Sequence, residues 1–321
     1  MSISPKDCCV LNSGSGAWAF EPLAVQLASS LSVEVSSEPR RFNYLLHVER
    51  PDQLVGCNVF IPTESIRLAS DKRLLAAMFR KHGVPTPLTR LLDSYSEVLN
   101  YVREYSDREW CLKFPTSCGA SGHRLVSATS FEPPNWPRPF IVQEFIRLER
   151  PEVYRTYCAG GELFGWVSRR FPEGTRVSPW VAHARGARYV RLGQPPTAAL
   201  DAARRALQAT NLWDSFGCVD LLCKPTGEWV VLEVGTDGMF NHVDRDLGDA
   251  DLEHELLQRV AGAFWRAAER YDFTSAQRGH AESYVRRRAS RGSAEQMQQI
   301  LSQAPRVEPE PNDRLPMTTN D

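Results

Sequence analysis

Residues 217–238 read GCVDLLCKPTGEWVVLEVGTDG: two apolar runs around a KPTG turn, with Asp220 and Glu233 set inside them. A lone buried carboxylate costs several kcal/mol after relaxation, so such groups are neutralised, paired or metal-bound. With Pro225 at the second turn position, Cys223 is expected opposite Glu228, Asp220 opposite Val231 and Glu233 opposite Cys218. Both acids then share one face as diagonal neighbours roughly 7 Å apart. There they can grip one cation cluster, and magnesium commonly uses one or two carboxylates plus phosphate oxygens. The competing expectations are that each acid pairs with an arginine from residues 169–188, or that a bulge carries one to the surface.

The chain has 321 residues, 42% hydrophobic and 24% charged, with a net charge of −1. Its length implies two or three subdomains. No global field argues for nucleic acid or an anionic membrane as partner. Eight cysteines occur without a CxxC pair, most of them in apolar runs where a thiol behaves as a small hydrophobe. No signal-peptide core and no run of ~18 apolar residues is present, and a reducing, cytoplasmic location is expected.

Around the hairpin, CCVLNSGSGAWAFEPLAVQLASSLSVEV predicts strand, glycine turn, helix and strand, and CNVFIP a further short strand. DKRLLAAMFRKHG predicts a helix capped by Asp71 and stopped at Gly83, and SYSEVLNYVREY another. EWCLKF, HRLVSA and PFIVQEFI read as strands, the first two joined by PTSCGASG. EVYRTYCAGGELFGWVSRR reads as a hairpin with a Gly-Gly turn, residues 172–194 as loop, and TAALDAARRALQAT and ADLEHELLQRVAGAFWRAAERY as helices. Beyond about 275 the polar, Arg-rich composition predicts disorder.

Lys113 stands at a strand end before Gly119 and Gly122. Glycine-rich loops admit phosphate oxygens to backbone amides, and a lysine adds a point charge. GxxxxGK is absent, so this is no Walker A loop. QEFI at 143–146 offers strand-end backbone to an adenine, and Arg155, Arg169 and Arg170 supply cations for a polyphosphate.

The ordered set of Lys113 with its glycine loop, QEFI, Arg155, Arg169-Arg170, Asp220 and Glu233 resembles the ATP-grasp ligases, especially the branch containing the ribosomal-protein glutamate ligase. The resemblance spans roughly residues 60–270, including DKRLLAAMFRKHGVPTP. It implies an α/β (α+β) ATP-grasp fold, two subdomains clamping ATP behind a small Rossmann-like domain, with boundaries at 1–68, 69–145, 146–272 and a polar tail at 273–321. It implies an ATP-dependent carboxylate–amine ligase working through an acylphosphate, on an amino acid or peptide, with ADP and phosphate released. It further implies Lys113, Gly119, Ser121, Gly122, Gln143, Glu144, Phe145 and Ile146 at the nucleotide, and Arg155, Arg170 and Arg185 at the transferring phosphoryl group. Asp220 and Glu233 would bind one or two Mg²⁺ ions, with Mn²⁺ as a substitute.

Two positions depart from that pattern. Gly235 stands where an asparagine ligand belongs, leaving Asp237 or Asn241 to substitute. Val153 stands where a ribose-binding acid belongs, leaving Glu152 or Glu149. Small-molecule phosphorylation and nucleotide binding without catalysis remain rival readings. So does dinucleotide binding at NSGSGAWA, residues 12–19, which contains GxGxxA, with Glu34 as the ribose acid. His123, His183, His242 and Trp180 are candidate pocket neighbours. Oligomeric state is open, a homodimer included.

Overall fold

The computed structural model describes residues 3–117, 119–120, 122–236 and 241–271. The predicted tail beyond 275 therefore lies outside the described residues. Three sheets follow one another along the chain. The first joins β1 (Cys8–Asn12), β2 (Glu34–Ser36), β3 (Phe42–His47) and β4 (Asn58–Val59) in the order β2-β1-β3-β4, all parallel. Cys8 to Leu11 are wholly buried, as expected of a parallel strand covered on both faces. Helix α1 (Glu21–Leu31) buries Ala24, Leu27, Ala28 and Leu31.

β3 is a central strand the sequence reading passed over, because Asn43 interrupts its apolar run. The structure satisfies that side chain: its Oδ1 accepts from the Arg40 N–H at 2.7 Å and its Nδ2 donates to the Asn58 carbonyl at 2.9 Å. A buried amide so bonded no longer opposes the strand.

Helices α2 (Thr63–Ser70) and α3 (Lys72–Lys81) lead into the second sheet, with Asp71 capping α3 through the Arg73 N–H at 2.9 Å. That sheet joins β5 (Thr89–Leu92), β6 (Trp110–Lys113), β7 (His123–Val126) and β8 (Phe140–Glu144) in the antiparallel order β5-β8-β6-β7. Helix α4 (Tyr95–Glu104) covers one face, packing Val98 and Val102 with Leu112, Phe140 and Val142.

The third sheet contains β9 (Glu152–Ala159), β10 (Glu162–Arg170), β11 (Arg188–Arg191), β12 (Phe216–Cys223) and β13 (Trp229–Gly235), antiparallel in the order β11-β10-β9-β12-β13. β11 lies inside the stretch read as loop, where arginines at both ends of a four-residue strand mask its pattern. Helices α5 (Thr197–Ala209), α6 (Asn241–Leu247) and α7 (Asp251–Arg270) complete the chain. α7 folds back on the first domain, where Phe264 meets Phe42 at 4.9 Å and Trp265 Nε1 donates to the Leu31 carbonyl at 3.1 Å. Among the described residues no helix is long and apolar enough to cross a membrane.

The β12–β13 register corrects the sequence expectation twice. The Lys224 N–H donates to the Glu228 carbonyl, so the turn takes one more residue and Cys223 faces Trp229. A bulge between Asp220 and Leu221 then adds a second shift, and Asp220 faces Glu233 directly. One shift alone would have sent the acids to opposite faces, whereas two restore the shared face.

Candidate active site

An open cleft lies between the second and third sheets, with about 770 Å³ of empty space that includes the solvent at its mouth. Lys113, Gln143, Glu144, Phe145, Ile146 and Glu152 line it, facing Val153, Leu222 and Leu232. Six residues scattered over forty positions thus converge because β6 and β8 are neighbours and β9 begins at the cleft mouth. Lys113 closes β6 and is only 7% exposed, yet no carboxylate or hydrogen-bond acceptor engages it among the described residues. Its ammonium stands at the cleft without a counter-charge from any described residue, a position suited to an anionic guest.

The backbone at the cleft floor is sorted into used and free groups. The Glu144 N–H donates to the Leu88 carbonyl at 2.8 Å and the Phe145 N–H to the Glu109 carbonyl at 2.7 Å, while no described residue accepts from the Ile146 N–H. Gln143 spends its amide on Thr89 at 2.9 Å. Glu152 accepts from the Tyr154 hydroxyl at 2.7 Å and pairs with Arg170. Glu149 is exposed and outside the lining.

The glycine loop leaves β6 and returns at Gly122, whose carbonyl accepts from the Phe114 N–H at 2.7 Å. A Cβ on Gly122 would stand 2.3 Å from the Phe114 Cβ, so this glycine serves loop closure. Gly119 adopts φ +59° and faces Ala184, which brings the turn carrying His183 and Arg185 against the loop. Arg185 is exposed there. Ser121 lies outside the described residues. Trp180 packs edge-on against both Phe145 and His123, at 5.1 Å each, and walls the cleft mouth. Burial, with Lys113, Lys72 and Arg185 nearby, pushes the His123 imidazole down to about 2; it is neutral at ordinary pH and adds no cation.

Lys72, at the start of α3, was seen in the sequence only as part of a helix start. Its ammonium donates to the Ser117 carbonyl in the glycine loop and lies 3.5 Å from the Glu233 carboxylate. It also lines a recess shared with Lys113 and Gln143. The signal was present in the DK pair, but nothing local says that a helix-start lysine turns toward a loop 45 residues away.

At the inner end, Asp220 is 7% exposed and already partnered. Arg155 binds it bidentately, Nε to Oδ1 at 2.7 Å and Nη2 to Oδ2 at 3.0 Å, and Arg169 holds Oδ2 as well. Burial alone would raise this carboxyl; Arg155 and Arg169 outweigh it and hold it at about 2. The competing expectation of an arginine partner is therefore met for Asp220. Arg170 has the opposite strand parity, facing Glu152, so Arg169 and not Arg170 reaches the Asp220 face. The Arg169 Nε is buried without an acceptor. Asp237 and the side chains of Asn241 and His242 lie outside the described residues.

These donors can be weighed against magnesium. Asp220, Glu233, Arg155, Arg169, Lys72 and Lys113 together carry four positive and two negative charges, a set that repels a bare dication and attracts a polyphosphate. Glu233, with its side chain 38% exposed, fits as one ligand of an ion whose remaining shell is phosphate oxygen. Asp220 can join only if its guanidinium contacts rearrange, because its oxygens already accept three donors. No group of three ligating side chains able to hold a metal occurs among the described residues.

The other glycine loop, Asn12 to Gly16, is filled from within. The Glu49 carboxylate accepts from the Ser15 N–H at 2.8 Å and its hydroxyl at 3.3 Å. A Cβ on Gly14 would lie 2.5 Å from the Glu49 Cβ. Glu34, the expected ribose acid, pairs with Arg40. Glu49 holds the position a dinucleotide phosphate would need.

No protein-family model matches the sequence, and comparison with curated proteins found no match. Solved structures share its fold. The D-cycloserine synthetase DcsG aligns with TM-score 0.57 at 16% identity, over 81% of this chain and 99% of that one. The ATP-grasp ligase PsnB complexed with minimal precursor aligns with TM-score 0.59 at 12% identity, over 80% and 99%. A D-alanine–D-alanine ligase from Bacillus anthracis gives 0.58 at 13% identity, over 87% and 99%. The chain has the ATP-grasp fold.

Proposed function

We propose that this chain is an ATP- and magnesium-dependent ligase that activates a carboxylate as an acylphosphate and joins it to an amine, with release of ADP and phosphate. The observation that carries the reading is Lys113, for which no described residue supplies a counter-charge, at the junction of an apolar cleft with a cationic inner end. The fold of the solved ligases, D-alanine–D-alanine ligase and PsnB among them, supports it. Residues 1–68 form the leading domain, 69–145 and 146–272 the two halves of the clamp, and the location is cytoplasmic.

In this reading the adenine lies between the residues 144–146 backbone and Leu222 with Leu232, accepting from the free Ile146 N–H, and Glu152 takes the ribose hydroxyls. Gly119 and Ser121 approach the phosphates, and Lys113 with Lys72 neutralises them. A bound magnesium would supply charge neutralisation and alignment of the phosphoryl oxygens, held by Glu233, with Asp220 and Asp237 as further ligands. Arg169, whose buried Nε has no acceptor among the described residues, and Arg155 steady charge on the transferring group once their contacts with Asp220 rearrange, and Arg185 approaches from the facing turn. Phosphoryl transfer asks the protein for positioning and charge stabilisation more than for a nucleophile. The carboxylate and amine are an amino acid or peptide pair.

A second reading, nucleotide binding without turnover, draws on the engagement of Asp220 by two guanidinium groups. A screen of amino acids and short peptides for ADP release, with mass spectrometry of products, separates the two. The ligase reading expects ADP and free phosphate in step with a condensed product, abolished in Glu233→Gln at unchanged melting temperature. A phosphorylated acceptor, or MgATP binding with no ADP from any pair, contradicts it.

A further inference from the structure

The ligase reading leaves one proton without a taker. An amine acceptor arrives at neutral pH largely as its ammonium form, which has no lone pair for attack, and the lysines and arginines around the phosphates hold their own protons. Pro179, Trp180 and Val181 line the cleft. Just beyond them the turn His183–Arg185 stands against the glycine loop, where a Cβ on Gly119 would come 3.7 Å from the Ala184 Cβ. His183 lies in that turn with its side chain 23% exposed.

Behind it α6 presents Asp246, whose side chain is only 6% exposed. Its Oδ2 lies 3.3 Å from the His183 Nε2 and accepts from the Tyr189 N–H at 3.1 Å, and its Oδ1 stands 3.8 Å from the Arg188 Nε. The Arg245 Nη2 also comes within 3.3 Å of the His183 Nε2. An arginine there needs a lone pair and a carboxylate needs a proton, so one nitrogen cannot serve both. Asp246 is buried and anchored to the β11 backbone, whereas Arg245 is exposed. The carboxylate therefore sets the ring: Nε2 carries the hydrogen and the lone pair lies on Nδ1. Arg185, in the same turn, Arg188 and Arg245 are the other charges around this pair. The Tyr189 ring in turn packs against the Arg155 and Arg169 guanidinium groups, at 5.9 and 5.7 Å. His183 and Asp246 thus stand between the glycine loop and the arginines that hold Asp220.

An imidazole oriented by a buried carboxylate activates the nucleophile brought to its other nitrogen. We propose that His183, positioned by Asp246, takes the proton from the acceptor amine; the inference rests on the ligase reading and adds the residue that readies its nucleophile. The ammonium gives one proton to Nδ1, and the nitrogen lone pair so released forms the C–N bond at the acyl carbon as the C–O bond to phosphate breaks. A second N–H proton leaves on the phosphate oxygen, one hydrogen stays on the amide, and the imidazolium returns its proton to solvent.

The test uses the full chain with MgATP and the amino-acid pair that releases most ADP in the screen above, beside the same carboxylate with hydroxylamine, a nucleophile already unprotonated at neutral pH. His183→Gln should lower condensation with the amine at least roughly a hundredfold at neutral pH, and the deficit should shrink as rising pH strips the ammonium without help. Hydroxylamine should rescue the variant, with hydroxamate formed at close to the wild-type rate. Asp246→Asn takes away the charge that steadies the imidazolium and should show the same selective loss with the same rescue; it decides should His183→Gln not fold. Condensation unchanged in both variants overturns the assignment, and so does hydroxamate lost in step with condensation, which would leave His183 a purely structural part of the turn. Wild type making neither ADP nor hydroxamate with any carboxylate of the screen is a different result: it fells the ligase reading and this inference with it.

Discussion

Two glycine-rich loops in this chain look alike in sequence and differ in what fills them. Residues 12–16 curl around Glu49, whose carboxylate takes the Ser15 amide and hydroxyl. The loop between β6 and Gly122 leaves beside Lys113 and Lys72, with a cleft in front and no carboxylate among the described residues engaging Lys113. Glycines permit close approach in both places, but the nearest side-chain charge decides whether that approach is already taken. An internal anion makes the first loop structural, and two lysines leave the second one waiting for an anion.

The comparison is sharpened most by Lys113→Ala. Loss of a buried charge-assisted contact should weaken MgATP binding roughly a hundredfold, read by calorimetry; an unchanged affinity would move the phosphates elsewhere. Next comes the contrast between the carboxylates of the two regions. Asp220 is held by guanidinium groups, and Asp220→Asn should destabilise the fold by roughly 3–5 kcal/mol, since it leaves Arg155 and Arg169 buried without a counter-charge. Because the folded carboxyl sits at about 2, below its unfolded value, its contribution is complete above roughly pH 4 and drains away as pH falls toward 2. Denaturant titrations across that window should show the loss in wild type and not in Asp220→Asn.

Smaller is the expected effect of Gly122→Ala, whose Cβ meets Phe114 and Ser117. It should lower stability by roughly 1–3 kcal/mol and weaken nucleotide binding by displacing the loop, and wild-type affinity in this variant would separate loop shape from binding. Smallest is Glu49→Ala. Here the amide and hydroxyl of Ser15 hold the carboxyl below its ordinary range, so a modest fall in melting temperature should appear near neutral pH and vanish in acid. MgATP binding should not move. NAD should stabilise neither protein, and NAD stabilisation appearing in wild type would reverse the assignment of the two loops.

Much of this arrangement was legible in the sequence. Alternation and turn chemistry located most strands, and the acids of the 217–238 hairpin share a face as expected. Local patterns failed where long-range partners decide. Asn43 reads as a break until Arg40 and Asn58 satisfy it, and β11 is hidden by its terminal arginines. The hairpin register depended on a bulge that no turn rule announces. Lys113, Gln143 to Ile146 and Glu152, separated along the chain, line one cleft. By contrast, Lys72 required the tertiary fold, because a contact across 45 residues, not spacing, brings it to the acids, and strand parity selects Arg169 over Arg170 as the partner of Asp220.

Calorimetric titration of MgATP into the intact chain and into Lys113→Ala and Glu49→Ala tests the central claim most directly. The account predicts one site, lost in the lysine variant and retained in the glutamate variant; retention in the former with loss in the latter would contradict it.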